Sequence, residues 1–253
     1  MPKPKQGKVL TNIFNTSYNK TILLSYIQSA FEDPKNVSYK RHTNRLTSVI
    51  MAEVLSEEGY NVDVIDCGDN FTGDFDKYSL VIGLGKTLDT LLSLRGNASK
   101  TKVIWFGTGC NPLFSNPVTI ERVADFYKRH GKLILSSSRY IKEDWVLQHE
   151  FADWIILHGS TFAKSTYRNY GISTINAPVF IQPAVTRTDE EWTSAKQRYI
   201  WFGSDGAIHK GLDLVIDAFA QLKNYTLYIC GNLENEKEFL TYYSNLLNAG
   251  NII

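Results

Sequence analysis

The sequence predicts an α/β fold in which parallel sheets are covered by helices on both faces. Short apolar runs recur along the chain, and most are continuous rather than alternating, which is typical of strands buried on both faces. Segments with helical spacing separate these runs, and alternation of strand and helix is the pattern of a parallel sheet. We predict strands at residues 21–27, 61–67, 80–84, 102–106, 132–135, 152–157, 172–180, 199–202 and 225–230.

The first predicted helix covers residues 43–58. Its apolar residues recur at helical spacing, and Gly59 stops it. The other predicted helices lie between the remaining apolar runs, at residues 87–94, 119–130, 161–170 and 212–222.

A polar and charged stretch divides the chain into two predicted domains. Residues 1–183 form a complete doubly wound domain, residues 184–198 a linker, and residues 199–253 the start of a second domain. The second domain has room for two strands and two helices, and residues 251–253 then resemble the opening of a third strand or, alternatively, a frayed tail. Because about 55 residues bury only a marginal core, we expect the chain to be a piece of a longer protein.

Composition excludes several classes of function. The formal net charge of +1 gives no reason to expect a nucleic-acid partner. The three cysteines form neither a disulfide framework nor a Cys/His zinc pattern, and they fit a cytoplasmic protein. No run approaches the roughly 20 apolar residues of a membrane span, which leaves peripheral association with a membrane open. The sequence does not indicate an oligomeric state.

The segment from Tyr199 to Phe219 carries the strongest chemical signal. A buried strand ends at Gly203, a turn containing Gly206 follows, and Lys210 and Gly211 open a helix. A loop between a strand and a helix N-terminus presents N–H groups and a partial positive charge, which suit a phosphate. A lysine that is simply exposed on the first turn is the alternative interpretation.

Residues 199–231 as a whole resemble the donor-domain entry of GT-B glycosyltransferases of family 4, also called group 1. The shared features are a strand, a glycine-containing loop, Lys210-Gly211, an Asp/Ala/Phe-bearing helix and a next strand that ends in glycine, here Gly231. The resemblance implies that Lys210 binds the donor diphosphate and acts as the catalytic cation. The proposed donor diphosphate site comprises Gly203, Ser204, Gly206, His209, Lys210 and Gly211.

This sequence departs from the family at one informative position. The family often has an arginine shortly after the first glycine, whereas Ser204 and Asp205 stand there in this chain. The family's Glu-rich motif, which holds the donor sugar and ribose, would lie beyond residue 253.

The resemblance implies a GT-B fold of two Rossmann-like domains and a retaining transfer of a hexose-type sugar. The donor would be a nucleoside-diphosphate sugar, and the acceptor a hydroxyl of a saccharide or a lipid-linked molecule, as in polysaccharide biosynthesis. No metal or other cofactor is expected. The site would be cytoplasmic or at the inner face of the cell membrane, and the 253-residue chain alone is expected to be nearly inactive. The alternatives are a non-catalytic sugar-nucleotide-binding homologue and a GT-B-like sugar-nucleotide epimerase.

The predicted acceptor side uses residues that follow strands of the first domain. Polar groups in this position lie in the crevice where open α/β sheets bind ligands. The candidates are His42, Asn44, Thr108, Gly109, Asn111 and His158. The alternatives are that Thr43 or Asn44 caps the first helix, and that Ser160 or Thr161 caps the helix after His158.

The segment Gly83-Leu84-Gly85-Lys86-Thr87 resembles two phosphate-binding motifs but completes neither. A P-loop would need glycine in place of Leu80, and a dinucleotide fingerprint would need glycine in place of Leu88. We interpret the segment as an ordinary turn from a strand to a helix.

Overall fold

The computed structural model describes residues 7–32, 42–95, 99–141, 144–167, 172–175 and 186–253. The chain divides into two compact units. The first takes the described residues of 1–114 and 142–182, and the second takes those of 115–141 and 183–253.

The first unit contains a six-stranded sheet in which every neighbouring pair is parallel. Its strand order is β2-β1-β3-β4-β5-β6, so the direction of winding reverses between β1 and β3, as in doubly wound folds. The strands are β1 (Lys20–Tyr26), β2 (Tyr60–Asp66), β3 (Leu80–Gly83), β4 (Lys102–Gly107), β5 (Trp154–His158) and β6 (Ile172–Ile175).

Both faces of this sheet are covered, which explains why its strands are continuously apolar. Ile22 and Leu24 of β1 belong to the core on one face, and Leu23 belongs to the core on the other face. The first core also holds Met51, and the second holds Leu88, so helices pack on opposite sides. The unit is therefore a Rossmann-like α/β arrangement, as the alternating pattern predicts.

Among the residues that the structure describes, the helices are short apart from those at Thr43–Glu57 and Pro112–His130. They are α1 (Thr43–Glu57), α2 (Lys86–Leu94), α3 (Pro112–His130), α4 (Gln148–Phe151), α5 (Thr161–Ser165), α6 (Asp189–Ala195), α7 (Leu212–Phe219), α8 (Lys237–Tyr242) and α9 (Ser244–Leu247). No helix among the described residues is long and apolar enough to cross a membrane.

The second unit contains two parallel strands, β7 (Arg198–Phe202) and β8 (Thr226–Cys230). Helix α7 connects them and covers one face through Leu212 and Ile216, both fully buried. Residues 251–253 pair with β8 through a parallel bridge between Ile252 and Leu227, so the alternative of a frayed tail is wrong.

Residues 115–141 group with the second unit, whereas the sequence interpretation placed them inside a domain of residues 1–183. Two contacts explain the grouping. Val123 and Phe126 of α3 pack in the same core as α7. Arg122 of α3 also forms an ion pair of 2.5 Å with Asp213 of α7, a carboxylate with no exposed surface.

Several predicted elements differ from the structure. The predicted strand at 132–135 is wrong, because this stretch pairs with no strand that the structure describes: Ile134 is buried in the second core, while Leu133 and Leu135 point to solvent. Helix α3 begins at Pro112 instead of residue 119, and α7 ends at Phe219 instead of residue 222. The predicted linker contains α6.

Some predicted elements extend outside the described residues. These parts are residues 176–180 of the last strand of the first domain, residues 168–170 of the helix at 161–170, and residues 184–185 of the linker.

Candidate functional site

The turn between β7 and α7, residues 203–211, is the best-defined candidate site in the second unit. Gly206 has a φ of 90°, a left-handed value that favours glycine. From this residue the chain winds tightly towards α7, since the Lys210 N–H donates to the Gly206 carbonyl at 2.8 Å. The Leu212 N–H then donates to the Ala207 carbonyl at 2.9 Å.

A buried carboxylate, that of Glu236, holds this turn in place. Its side chain accepts hydrogen bonds from the N–H groups of Gly206 and Ala207 and from the hydroxyl of Ser137. Only 1% of Glu236 is exposed. Buried carboxylates need several donors to offset their lost hydration, so these bonds fix the turn relative to the segment that carries Ser137.

Lys210 lies on the exposed side of the same turn. Its Nζ donates to the Ser204 hydroxyl at 2.8 Å, and it forms no ion pair within the described part of the chain. Burial and the positive charge of Arg139 lower the pKa of Lys210, while the carboxylates of Asp205 and Glu236 oppose this. The ammonium is therefore positioned without a direct acidic partner.

Arg139 is a second cation at this turn, and it is not a residue that the sequence pattern indicated. Its aliphatic stem lies directly over Gly206, where a Cβ atom would overlap the Arg139 Cγ. The residue is exposed and has neither an ion pair nor a hydrogen bond with any residue that the structure describes. No sequence signal identifies it, because it comes from the loop after α3.

His209 completes the polar surface of the turn. Its backbone N–H donates to the Ser137 carbonyl at 3.2 Å, and the Nδ1 of its imidazole lies 3.2 Å from the Thr119 hydroxyl. Burial lowers the pKa of His209, as do the positive charges of Arg139, Lys210 and Arg122. Burial and the positive local potential therefore both favour the neutral form of the imidazole.

Most backbone N–H groups that the sequence predicted as phosphate donors are already hydrogen-bonded within the protein. The Gly203 N–H donates to the Cys230 carbonyl at 3.0 Å, the Gly206 N–H donates to Glu236, and the Gly211 N–H donates to Ile208 at 3.1 Å. Of the predicted loop donors, the Ser204 N–H has no acceptor among the described residues. The Ser204 hydroxyl and the two cations therefore carry most of the binding capacity.

The predicted acceptor-side residues lie at the carboxyl edge of the first unit's sheet. Thr108 and Gly109 follow β4, His158 ends β5, and His42 immediately precedes α1. His42, Asn44 and Thr108 are exposed, and His158 is half-buried. Parallel strands end at one edge, so the topology places these residues along a common border of the sheet.

Asn111 has a structural role that the acceptor interpretation did not include. It is 6% exposed, and its Oδ1 accepts from the Leu113 N–H at 2.8 Å, which caps the start of α3. Its Nδ2 lies 3.0 Å from Nε2 of the buried His149. Both ends of the amide are therefore used inside the protein.

The alternative capping interpretations have different outcomes. Ser160 caps α5 by accepting from the Ala163 N–H at 3.3 Å, as one alternative for this turn expected. At α1 the N-cap residue is His42, and no side chain makes a capping hydrogen bond there. The interpretation of Thr43 or Asn44 as the cap is therefore wrong.

The Gly83–Thr87 segment is a turn from β3 to α2, as the sequence interpretation expected. Two of its backbone N–H groups bind backbone carbonyls within the first unit. The Leu84 N–H donates to the Ser25 carbonyl at 3.0 Å, and the Lys86 N–H donates to the Cys67 carbonyl at 3.0 Å. The buried Gln148 accepts from the Gly85 N–H at 3.0 Å and donates to its carbonyl at 2.8 Å. The N–H groups of Leu84, Gly85 and Lys86 are therefore not available to a phosphate, as a P-loop would require.

No group of three or more His, Cys, Asp or Glu side chains with metal-binding geometry occurs among the described residues. Comparison with protein-family models, with curated proteins and with solved structures gave no match for this chain. The functional interpretation therefore depends on the geometry and charge of the β7–α7 turn.

Proposed function

We propose that the β7–α7 turn binds the diphosphate of a nucleoside-diphosphate sugar and that the protein is a glycosyltransferase of the GT-B type. One observation carries this proposal: the Lys210 ammonium is placed on the Ser204 hydroxyl at the carboxyl end of a parallel strand, without an ion-pair partner among the described residues. The carboxyl end of such strands is where α/β proteins bind their ligands.

The chemistry of sugar transfer explains why a fixed cation would be placed there. When the glycosyl bond breaks, negative charge grows on the departing diphosphate. An ammonium that is already in position stabilises this charge more in the transition state than in the ground state, because it needs no reorganisation. One charge-assisted contact contributes about 1.5–3 kcal/mol, which is roughly 10–150-fold in rate.

The remaining roles follow from position in the fold. Ser204 orients Lys210 and offers a hydroxyl to the same phosphate, and Glu236 keeps the turn in shape. His42, Asn44, Thr108 and His158 at the edge of the first sheet are the acceptor contacts under this proposal. The arrangement of two domains facing each other across a cleft, which the GT-B type implies, is part of the same proposal, as is a saccharide or lipid-linked acceptor.

The test is release of nucleoside diphosphate from UDP-, GDP- and ADP-sugars, with and without a mixture of saccharide acceptors. We expect Lys210→Ala to lower kcat at least tenfold on the donor that is used, because the contact strengthens as the leaving group departs. Lys86→Ala removes an exposed lysine from the β3–α2 turn and is the matched control. Unchanged turnover in Lys210→Ala would contradict the proposal.

A second candidate is a protein that binds sugar nucleotides without transferring the sugar. The observation that favours it is the exposed Asp205, a carboxylate that partly offsets the charge of Lys210. The same assay separates the two, since this candidate predicts saturable binding of the donor without release of nucleoside diphosphate. An epimerase would instead convert the sugar in the absence of any acceptor.

A further inference from the structure

The arginines of the second unit differ in how their charges are neutralised. Arg122 and Arg129 both bond to Asp213, and Arg129 also pairs with Asp217 at 2.7 Å. Arg139 has no such acid within the part of the chain that the structure describes. A guanidinium without an acidic partner beside a second cation is the pattern of an anion site.

The backbone holds Arg139 at the turn in an unusual conformation. Its φ is 52°, a left-handed value that is uncommon for a residue other than glycine. Ser137, two positions earlier, binds the turn twice: its carbonyl accepts from the His209 N–H, and its hydroxyl donates to Glu236. Arg139 therefore follows a segment that two hydrogen bonds fix to the turn, and left-handed residues other than glycine often occur at functional positions.

The charges at this turn repel one another in the absence of a ligand. The Arg139 guanidinium lowers the pKa of both Lys210 and His209, in addition to the effect of burial. Two cations held close together cost free energy unless an anion lies between them. A ligand with two negative groups would offset this repulsion, because each group would attract one of the two cations.

We propose that Arg139 and Lys210 together grip a diphosphate, each contacting one of its two phosphates, so that the site selects diphosphates over monophosphates. This inference rests on the proposed function and adds a second diphosphate-binding residue to its site. Arg139 suits the role because its planar fork of donors matches two phosphate oxygens, whereas Lys210 acts as a point charge.

The experiment measures binding of inorganic pyrophosphate and of inorganic phosphate to the 253-residue chain by calorimetry, at one fixed ionic strength. We expect Arg139→Ala to weaken pyrophosphate binding about tenfold or more and phosphate binding less than threefold. Arg139→Lys should recover part of the loss. Arg187→Ala, which removes the same charge from an exposed position of the same unit, is the matched control, and thermal unfolding verifies that each variant is folded.

The outcomes separate this inference from the proposed function. If Lys210→Ala weakens pyrophosphate binding and Arg139→Ala does not, the role of Arg139 is overturned while the proposed function stands. An equal loss for both probes in Arg139→Ala overturns the selection of diphosphates. If the wild-type chain binds neither probe, or if neither substitution weakens binding, both proposals fail.

Discussion

Two turns in this protein have similar sequences but different neighbours. The β3–α2 turn of the first unit and the β7–α7 turn of the second each connect a parallel strand to a helix, and each contains glycine and one lysine, Lys86 or Lys210. In the first turn, Ser25, Cys67 and Gln148 take up the backbone donors.

In the second turn, Glu236 likewise accepts from the backbone N–H groups of Gly206 and Ala207. Lys210 and Arg139 lie near each other without an acid in ion-pair contact, as far as the structure is described. The comparison shows that a glycine and a lysine at a strand end do not make an anion site. A second cation at the same turn, Arg139, distinguishes the second turn from the first.

Substituting a glycine in each turn should give the largest difference in unfolding free energy between the two turns. Gly85 has φ 97° and ψ −165°, and a Cβ there would overlap the Cys67 carbonyl oxygen, so Gly85→Ala should cost about 4 kcal/mol of unfolding free energy. Gly206→Ala should cost about 2 kcal/mol, because the overlap is with the flexible stem of Arg139. Urea denaturation measures both, and equal losses would mean that the two turns are equally rigid.

Removing the buried acceptor of the second turn should have the next largest effect. Glu236→Ala leaves the Gly206 and Ala207 N–H groups without their acceptor, and we expect a loss of about 3 kcal/mol. Glu236→Gln keeps an oxygen of the same shape and should lose about half as much. Urea denaturation monitored by tryptophan fluorescence tests this. If Glu236→Ala lowered the free energy of unfolding by less than about 0.5 kcal/mol, water would replace the carboxylate as the acceptor.

The two lysines should differ in diphosphate binding. Lys210→Ala should weaken pyrophosphate binding about tenfold, or about 1.4 kcal/mol. Lys86→Ala should change it less than twofold, because Lys86 is exposed at a turn whose Leu84, Gly85 and Lys86 N–H groups already donate within the protein. Calorimetric titration of both variants in the same buffer measures the difference. Similar losses would indicate non-specific attraction by surface charge.

The smallest effect concerns the protonation of His209. Burial and the nearby cations place the pKa of His209 below its ordinary value of 6.5, so the folded protein resists protonation there. As the pH falls through 6.5 towards the lowered pKa, this residue costs folding stability. Arg139→Ala should raise the pKa of His209, as should bound pyrophosphate. NMR titration of the imidazole C–H signals measures this, and an unchanged pKa would place Arg139 too far away to act.

The sequence by itself determined the architecture of the first unit. Strands such as β1 and β4 are continuous apolar runs because helices cover both sides, and this burial is visible in the residues themselves. The β3–α2 turn was predicted correctly, because both motifs that it resembles fail at a defining position. Helix α6 was missed although its capping box, Thr188 with Glu191, is a local signal.

Only the tertiary structure decided which groups meet at the β7–α7 turn. Arg139 and Glu236 come from segments before and after the turn, and no local pattern relates them to Lys210. The tertiary structure also decided the conformation of residues 132–135. This apolar run is irregular, and only Ile134 of its apolar residues is buried in a core. Periodicity records how much of a segment is buried, whereas charge compensation depends on contacts between residues far apart in the chain, and these exist only once the chain has folded.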